Sequence, residues 1–242
     1  MTMIISNKIL ITLYCMTLLF CGCKKEIPSC SGNCTDINFA GFVYDKSLNL
    51  PLSNQNIDII LYQNSSCVIC SSNIIASGKS DINGRFSITA TFDTSLLSKY
   101  YIKVIATATE NFIHYPQAVG PGITNSAAKI TRQFTTIDPP AFQNLRFDFY
   151  PRVLLKLNLH RTSPPVPQYP YLVQSYTFDN QTLNWGLDER PSNIDTTLTI
   201  YTSANIFTKI ISSKQQTAAN VIRRTDSIKC TPNGNNSIDI TY

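Results

Sequence analysis

The run RVLLKLNLH at residues 152–160 places Val153, Leu155, Leu157 and Leu159 on one face, and Leu154, Lys156, Asn158 and His160 on the other. A period of two over nine residues is the signature of a half-buried β-strand and does not fit the stripe of an amphipathic helix. The same pattern recurs along the chain. INFAGFVYD (37–45), NIDIILYQ (56–63), NIIASGK (73–79), GRFSITATF (84–92), YYIKVIATA (100–108), AAKITRQFTTI (127–137) and QNLRFDFY (143–150) give seven strands before it. LVQSYTF (172–178), TTLTIYTS (196–203), NIFTKIISS (205–213), ANVIRRTDSI (219–228) and NSIDITY (236–242) follow it. Each is bounded by Asn, Asp, Ser, Gly or Pro, the residues of turns. Glutamate occurs only as Glu26, Glu110 and Glu189, and 43% hydrophobic against 14% charged residues excludes a disordered chain. The expected class is all-β, with two consecutive β-sandwich domains, 37–150 and 151–242.

The first 22 residues have a different character. Lys8 precedes the apolar run ILITLYCMTLLF (9–20). Twelve residues fall short of the roughly 20 that cross a bilayer as a helix, but suit the hydrophobic region of a signal peptide. The run ends Phe20-Cys21-Gly22-Cys23. This resembles the bacterial lipoprotein signal, in which a small residue precedes an obligatory cysteine. Gly22 makes Cys23 the lipidated residue, whereas bulky Phe20 disfavours Cys21. The resemblance implies a signal peptide over 1–22, diacylglycerol on the Cys23 sulfur, and acylation of the new amino terminus. Several acyl chains make an anchor effectively permanent, where one holds only marginally. Lys24, in the sorting position, implies the outer membrane. Residues 23–36, polar and Gly/Pro/Ser-punctuated, form a tether. The expected partners are the membrane, through the anchor, and envelope proteins or glycans. Nucleic acid is excluded for an exported chain whose basic residues are scattered.

Gly41-x-Val43-x-Asp45, Pro51-Leu52 and Asp81-x-Asn83-Gly84-x-Phe86 carry a second resemblance. The block 36–110 is similar to the carboxypeptidase regulatory-like, transthyretin-like β-sandwich of bacterial envelope proteins. In physical terms, Gly41 allows a bend or bulge. Asp81 to Gly84 makes a tight turn, with Asn83 and Gly84 tolerating positive φ. The segment 110–126 is longer and more irregular than a minimal domain of this kind needs. FYPRVLLKLNL and the closing SIDITY resemble the C-terminal sandwich of small envelope lipoproteins that pair it with a transthyretin-like domain.

Candidate chemistry is sparse. Beyond Cys23 stand Cys30, Cys34, Cys67, Cys70 and Cys230. C-x3-C and C-x2-C suit a four-thiolate zinc site by count, but two expected strands separate them, unlike a zinc ribbon. An oxidising envelope favours disulfides. The preferred pairing joins Cys30 and Cys34 to Cys67 and Cys70 and leaves Cys230 free; free thiols and other pairings stay open. His114 and His160 have no metal-ligand partner at short spacing, and no metal or cofactor is expected. No G-x-S-x-G, H-E-x-x-H or phosphate-cradling loop is present. Asp188-Glu189 belongs to a solvated turn before Pro191. Tyr169, Tyr171, Tyr176 and Trp185 form a candidate ligand platform, since aromatic faces beside Asn and Asp stack on sugar rings. Burial of the tryptophan with tyrosines at its edges is the competing arrangement. The functional expectation is a non-enzymatic envelope binding or scaffold module. A carbohydrate-binding or nutrient-uptake accessory lipoprotein is the alternative, and a hydrolase ranks below both.

Overall fold

A computed structural model describes residues 30, 32–63, 72–119, 127–162, 166–169, 171–188 and 195–242. The chain is all-β, as expected. Its first part contains β1 (Cys34–Asp45), β2 (Leu50–Pro51), β3 (Asn56–Gln63), β4 (Ser72–Lys79), β5 (Arg85–Asp93) and β6 (Tyr100–Thr107). The two-residue strands β7 (Phe112–Ile113) and β8 (Gln117–Ala118) follow, then β9 (Lys129–Phe134) and the long β10 (Leu145–His160). The remainder is β11 (Tyr171–Phe178), β12 (Gln181–Asp188), β13 (Asp195–Ser203), β14 (Phe207–Gln215), β15 (Val221–Lys229) and β16 (Asn236–Thr241).

Two layers enclose the first core. One is β5–β1 joined to the first half of β10; the other runs β4-β3-β6-β9. Alternate side chains of each strand point between them: Phe39 and Val43, Ile57, Ile59 and Leu61, Phe86 to Phe92 in steps of two, Ile102 and Val104. Phe142 and Phe147 complete the interior, with Phe142 against Phe39 at 4.8 Å between ring centroids. A second cluster forms around Leu155, Leu157 and Leu159, facing Leu172, Tyr176 and Ile210. Its layers are β16, the second half of β10, β13 and β8 on one side, and β12-β11-β14-β15 on the other. The first core draws on residues between Ile37 and Phe149, the second on residues between Val153 and Ile240.

The sequence pattern breaks at Pro151, but the chain does not. Residues 143–150 and 152–160, expected as separate strands, are one strand of 16 residues. Its first half pairs parallel with β1, from Gly41 opposite Leu145 to Asp45 opposite Phe149. Its second half pairs antiparallel with β13 from Arg152 onward. Pro151 therefore lies at the hand-over between these two ladders, opposite Phe112 of β7, with its carbonyl accepting from the Ala204 amide at 2.9 Å. The irregular segment after Glu110 supplies β7, paired at Tyr150 and Pro151, and β8, paired with Ile200 and Tyr201 of β13. Its length is used to strap the first sandwich to the second.

One of the two glycines singled out differs from expectation in its reason. Gly41 makes no bulge. A Cβ there would lie 2.0 Å from the carbonyl oxygen of Leu145, so the residue permits close approach of β10. Gly84 does take positive φ, 71°, while Asn83 does not. The Asp81 carboxylate fixes that turn by accepting from the Asn83 and Arg85 amides, both at 2.8 Å. A strand was also missed. β12 covers Asn184, Trp185 and Gly186, so Asp188 ends a strand rather than belonging to a turn.

Candidate functional site

The β11–β12 hairpin turns through Asp179 and Asn180, with φ 44° and 65°. Two successive positive φ values suit a two-residue hairpin, and Asp and Asn tolerate them better than other side chains. The turn delivers Asp179 to the first sandwich. There Lys46, just after β1, and Tyr150, at the middle of β10, both donate to its Oδ2 atom. The two donors, Lys46 first, hold the Asp179 carboxyl below its ordinary range, outweighing its own desolvation. Burial, then the hydrogen bond it donates to Asp179, pushes the Tyr150 hydroxyl far above its usual value. Beneath them Phe178 packs edge-on against Tyr150 at 5.0 Å, with Ile113 and Ile206 completing a small apolar cluster.

A cleft of about 330 Å³ opens beside this latch, lined by His114, Arg132, Asp148, Asn180 and Gln181 as well as the three latch residues. Arg146 Nε donates to Asp148 at 2.7 Å, and Arg132 donates to the Arg146 carbonyl at 3.3 Å. His114 stacks edge-on against Tyr115 at 4.5 Å, and burial lowers its pKa. Its Nδ1 is buried without a hydrogen bond. At the cleft Lys46 is paired with Asp179, and Asp148 with Arg146. Tyr150 holds its proton and Asp179 holds its charge, so neither is poised for proton transfer. The arrangement is a joint.

Asp179→Asn removes the ionic half of that joint while keeping its shape. A carboxyl whose folded pKa is depressed adds stability above its unfolded pKa, and loses it as pH falls through the folded value. The variant is expected to be less stable by about 1 kcal/mol at neutral pH. The gap should narrow at low pH, as wild-type Asp179 is titrated through its depressed folded pKa. Urea melts at both pH values check this, and an equal gap at both would show that the charge contributes nothing.

The residues expected from sequence are scattered. Cys23, Cys67 and Cys70 lie outside the described residues. Cys30 and Cys34 are bonded to each other, their Cα atoms 5.7 Å apart, rather than to the 67–70 loop. Four residues at the entry to β1 turn tightly enough to bring their side chains together. Cys230 is free and buried, and burial pushes its thiol up to about 11.

The aromatic platform does not assemble. Tyr171 and Tyr176 are five apart on one strand, so they face opposite sides of the sheet. Tyr171 is 50% exposed and Tyr176 is fully buried, its hydroxyl pushed up by desolvation. Trp185 stands opposite Gln174 on the inner face and packs against the second core. Tyr169 is half-buried in a bridge to Val166. His160 sits apart from His114, with Nδ1 3.3 Å from Asp195. No group of three or more His, Cys, Asp or Glu able to hold a metal occurs among the described residues. Lys46, Tyr150 and Asp179 were not singled out from sequence. Only Asp179-Asn180, between two alternating runs, carried a hairpin signal.

No family model and no curated protein matches the chain. Among solved structures it is similar to the shaft pilin SpaA from Lactobacillus rhamnosus GG, at 9% identity and TM-score 0.29, over 86% of this chain and 97% of that one. It is also similar to the Bacillus anthracis TIE protein, at 8% identity and TM-score 0.28, over 86% of this chain and 33% of that one. A 9R-lipoxygenase from Cyanothece aligns at 15% identity and TM-score 0.25, over 56% of this chain and 18% of that one. Likeness at this level carries no argument about function.

Proposed function

We propose that the chain is a non-enzymatic binding or scaffold module of the bacterial envelope, tied to the outer membrane by lipid on Cys23. Its two sandwiches act as a stiff spacer. The observation that carries this reading is β10. Its 16 residues span about 50 Å at roughly 3.3 Å per residue and contribute to both cores without a break. β1 runs parallel to β10, and its first residue, Cys34, lies toward the end away from the second sandwich. A tether entering there leaves the far end of the second sandwich as the part most distant from the anchor. The strap of β7 and β8 and the Asp179 latch oppose bending at the joint. Spacer function needs such stiffness; catalysis does not.

Lipidation is the step to test. Labelled palmitate should enter the wild-type protein and the Cys21→Ser variant, and be lost from Cys23→Ser, which should also leave the outer-membrane fraction. Label retained in Cys23→Ser would overturn the assignment.

A further inference from the structure

The outer face of the β4-β3-β6-β9 sheet presents an exposed Ile74 beside half-buried Ile60, Tyr62 and Tyr101. Tyr62 stands opposite Tyr101, with ring centroids 5.2 Å apart. The next outward positions along the strands are Ile60 and Lys103, and Ile74 beside Ile60 is 57% exposed. Lys103 Nζ lies 3.6 Å from the Tyr62 ring centroid and 5.3 Å from that of Tyr101. Asp58, opposite Ile105, is a carboxylate toward the other end of these strands. The pattern is two tyrosines at the strand ends, a lysine above their rings and aliphatic side chains alongside. Tyrosine and lysine together suit the boundary between lipid headgroups and acyl chains, with an apolar body inside and a polar tip in water.

Its position makes the lipid surface the occupant. β5 ends at Asp93 opposite Cys34. The short 3-10 turn Thr94–Ser98 leads from there to Tyr100 at the start of β6. Tyr62 and Tyr101 thus share the end of the sandwich at which the tether enters. The Cys30–Cys34 bond holds Cys30 close to β1, with 5.7 Å between Cα atoms. Only six residues separate Cys23 from Cys30, a span of at most about 25 Å between their Cα atoms when fully extended. With Cys23 in the bilayer surface, this end of the sandwich cannot stand far from it.

We infer that the corner formed by Tyr62, Tyr101, Lys103 and Ile74 rests in the headgroup layer and sets the angle at which the spacer leaves the membrane. The inference rests on Cys23 being the lipid anchor. Its test uses the full lipidated protein in vesicles of phosphatidylethanolamine and phosphatidylglycerol that contain a phospholipid with a photoactivatable acyl chain. Mass spectrometry of peptides should find label at 60–62, 74 and 101–103 as well as at the tether. Tyr62→Ser combined with Tyr101→Ser should cut the label on the sheet face by roughly threefold and leave tether labelling unchanged. Should the double variant fail to fold, the wild-type labelling map decides alone. Label confined to the tether overturns the membrane-contact inference and leaves the anchor standing. Failure of the wild-type protein to associate with vesicles overturns the anchor itself.

Discussion

Gly41→Ala is expected to destabilise the protein by about 3 kcal/mol, a large effect for one methyl group. The added Cβ would meet the Leu145 carbonyl oxygen at 2.0 Å and its carbonyl carbon at 2.7 Å. Neither atom can step aside as a side-chain tip would. Leu145 opens the parallel ladder of β10 against β1, and the next four residues of each strand are paired in register. Relief requires pushing β10 outward, which opens the first core at Phe147 and Phe149, both fully buried. For a chain of this size, about 3 kcal/mol lowers the melting temperature by roughly 6–12 °C. Thermal unfolding of Gly41→Ala beside Gly186→Ala gives the comparison, since a Cβ at Gly186 meets nothing within 4 Å. Equal melting temperatures for the two variants would mean that β1 and β10 are not held this close.

That glycine shows where sequence reasoning stops. Its neighbour Leu145 is far along the chain, and a period-two pattern says which face a residue occupies, not which strand comes beside it. The strands themselves were legible because alternation is a local property. β1, β3, β5, β6, β11 and β14 bury alternate residues for the reason their sequences display, as does the second half of β10, whereas β15 buries none of its own. β12 alternates as well, with Leu183 and Trp185 packed against the second core and Asn184 and Gly186 exposed on the other face. Pro151 misled. A proline normally ends a strand, but here it falls at the hand-over from β1 to β13, and its carbonyl still accepts from the Ala204 amide.

The candidate site was less legible than the fold. Lys46, Tyr150 and Asp179 come from three distant segments, and each alone is an ordinary turn or strand residue. The platform of Tyr169, Tyr171, Tyr176 and Trp185 was suggested by nearness in sequence, yet parity already argued against it. An odd spacing of five on one strand sends Tyr171 out and Tyr176 in. Cross-strand register then placed Trp185 opposite Gln174, on the buried side. Proximity along a strand selects residues; parity decides whether they meet.

Phe178→Ala is expected to cost about 3–4 kcal/mol and to separate the unfolding of the two sandwiches. Phe178 is 1% exposed and fills the joint with Ile113, Tyr150 and Ile206. It belongs to the hairpin of the second sandwich but stacks against Tyr150. The two main cores share none of their residues. Cooperativity between them depends on the unbroken β10, the strap of β7 and β8, the latch on Asp179 and this apolar cluster. Truncating Phe178 leaves a cavity directly beneath the latch, and loosens the turn that presents Asp179 to Lys46 and Tyr150. Calorimetry should show one transition for wild type and two for the variant, with the second sandwich melting first because the lost side chain lies on its own β11. Tyr150→Phe keeps the ring contact and removes only a hydroxyl, so it should retain a single transition. A single transition in Phe178→Ala, shifted no more than in Tyr150→Phe, would mean that β10 alone couples the cores. The stiffness of the spacer would then reside in one strand rather than in the packed joint around it.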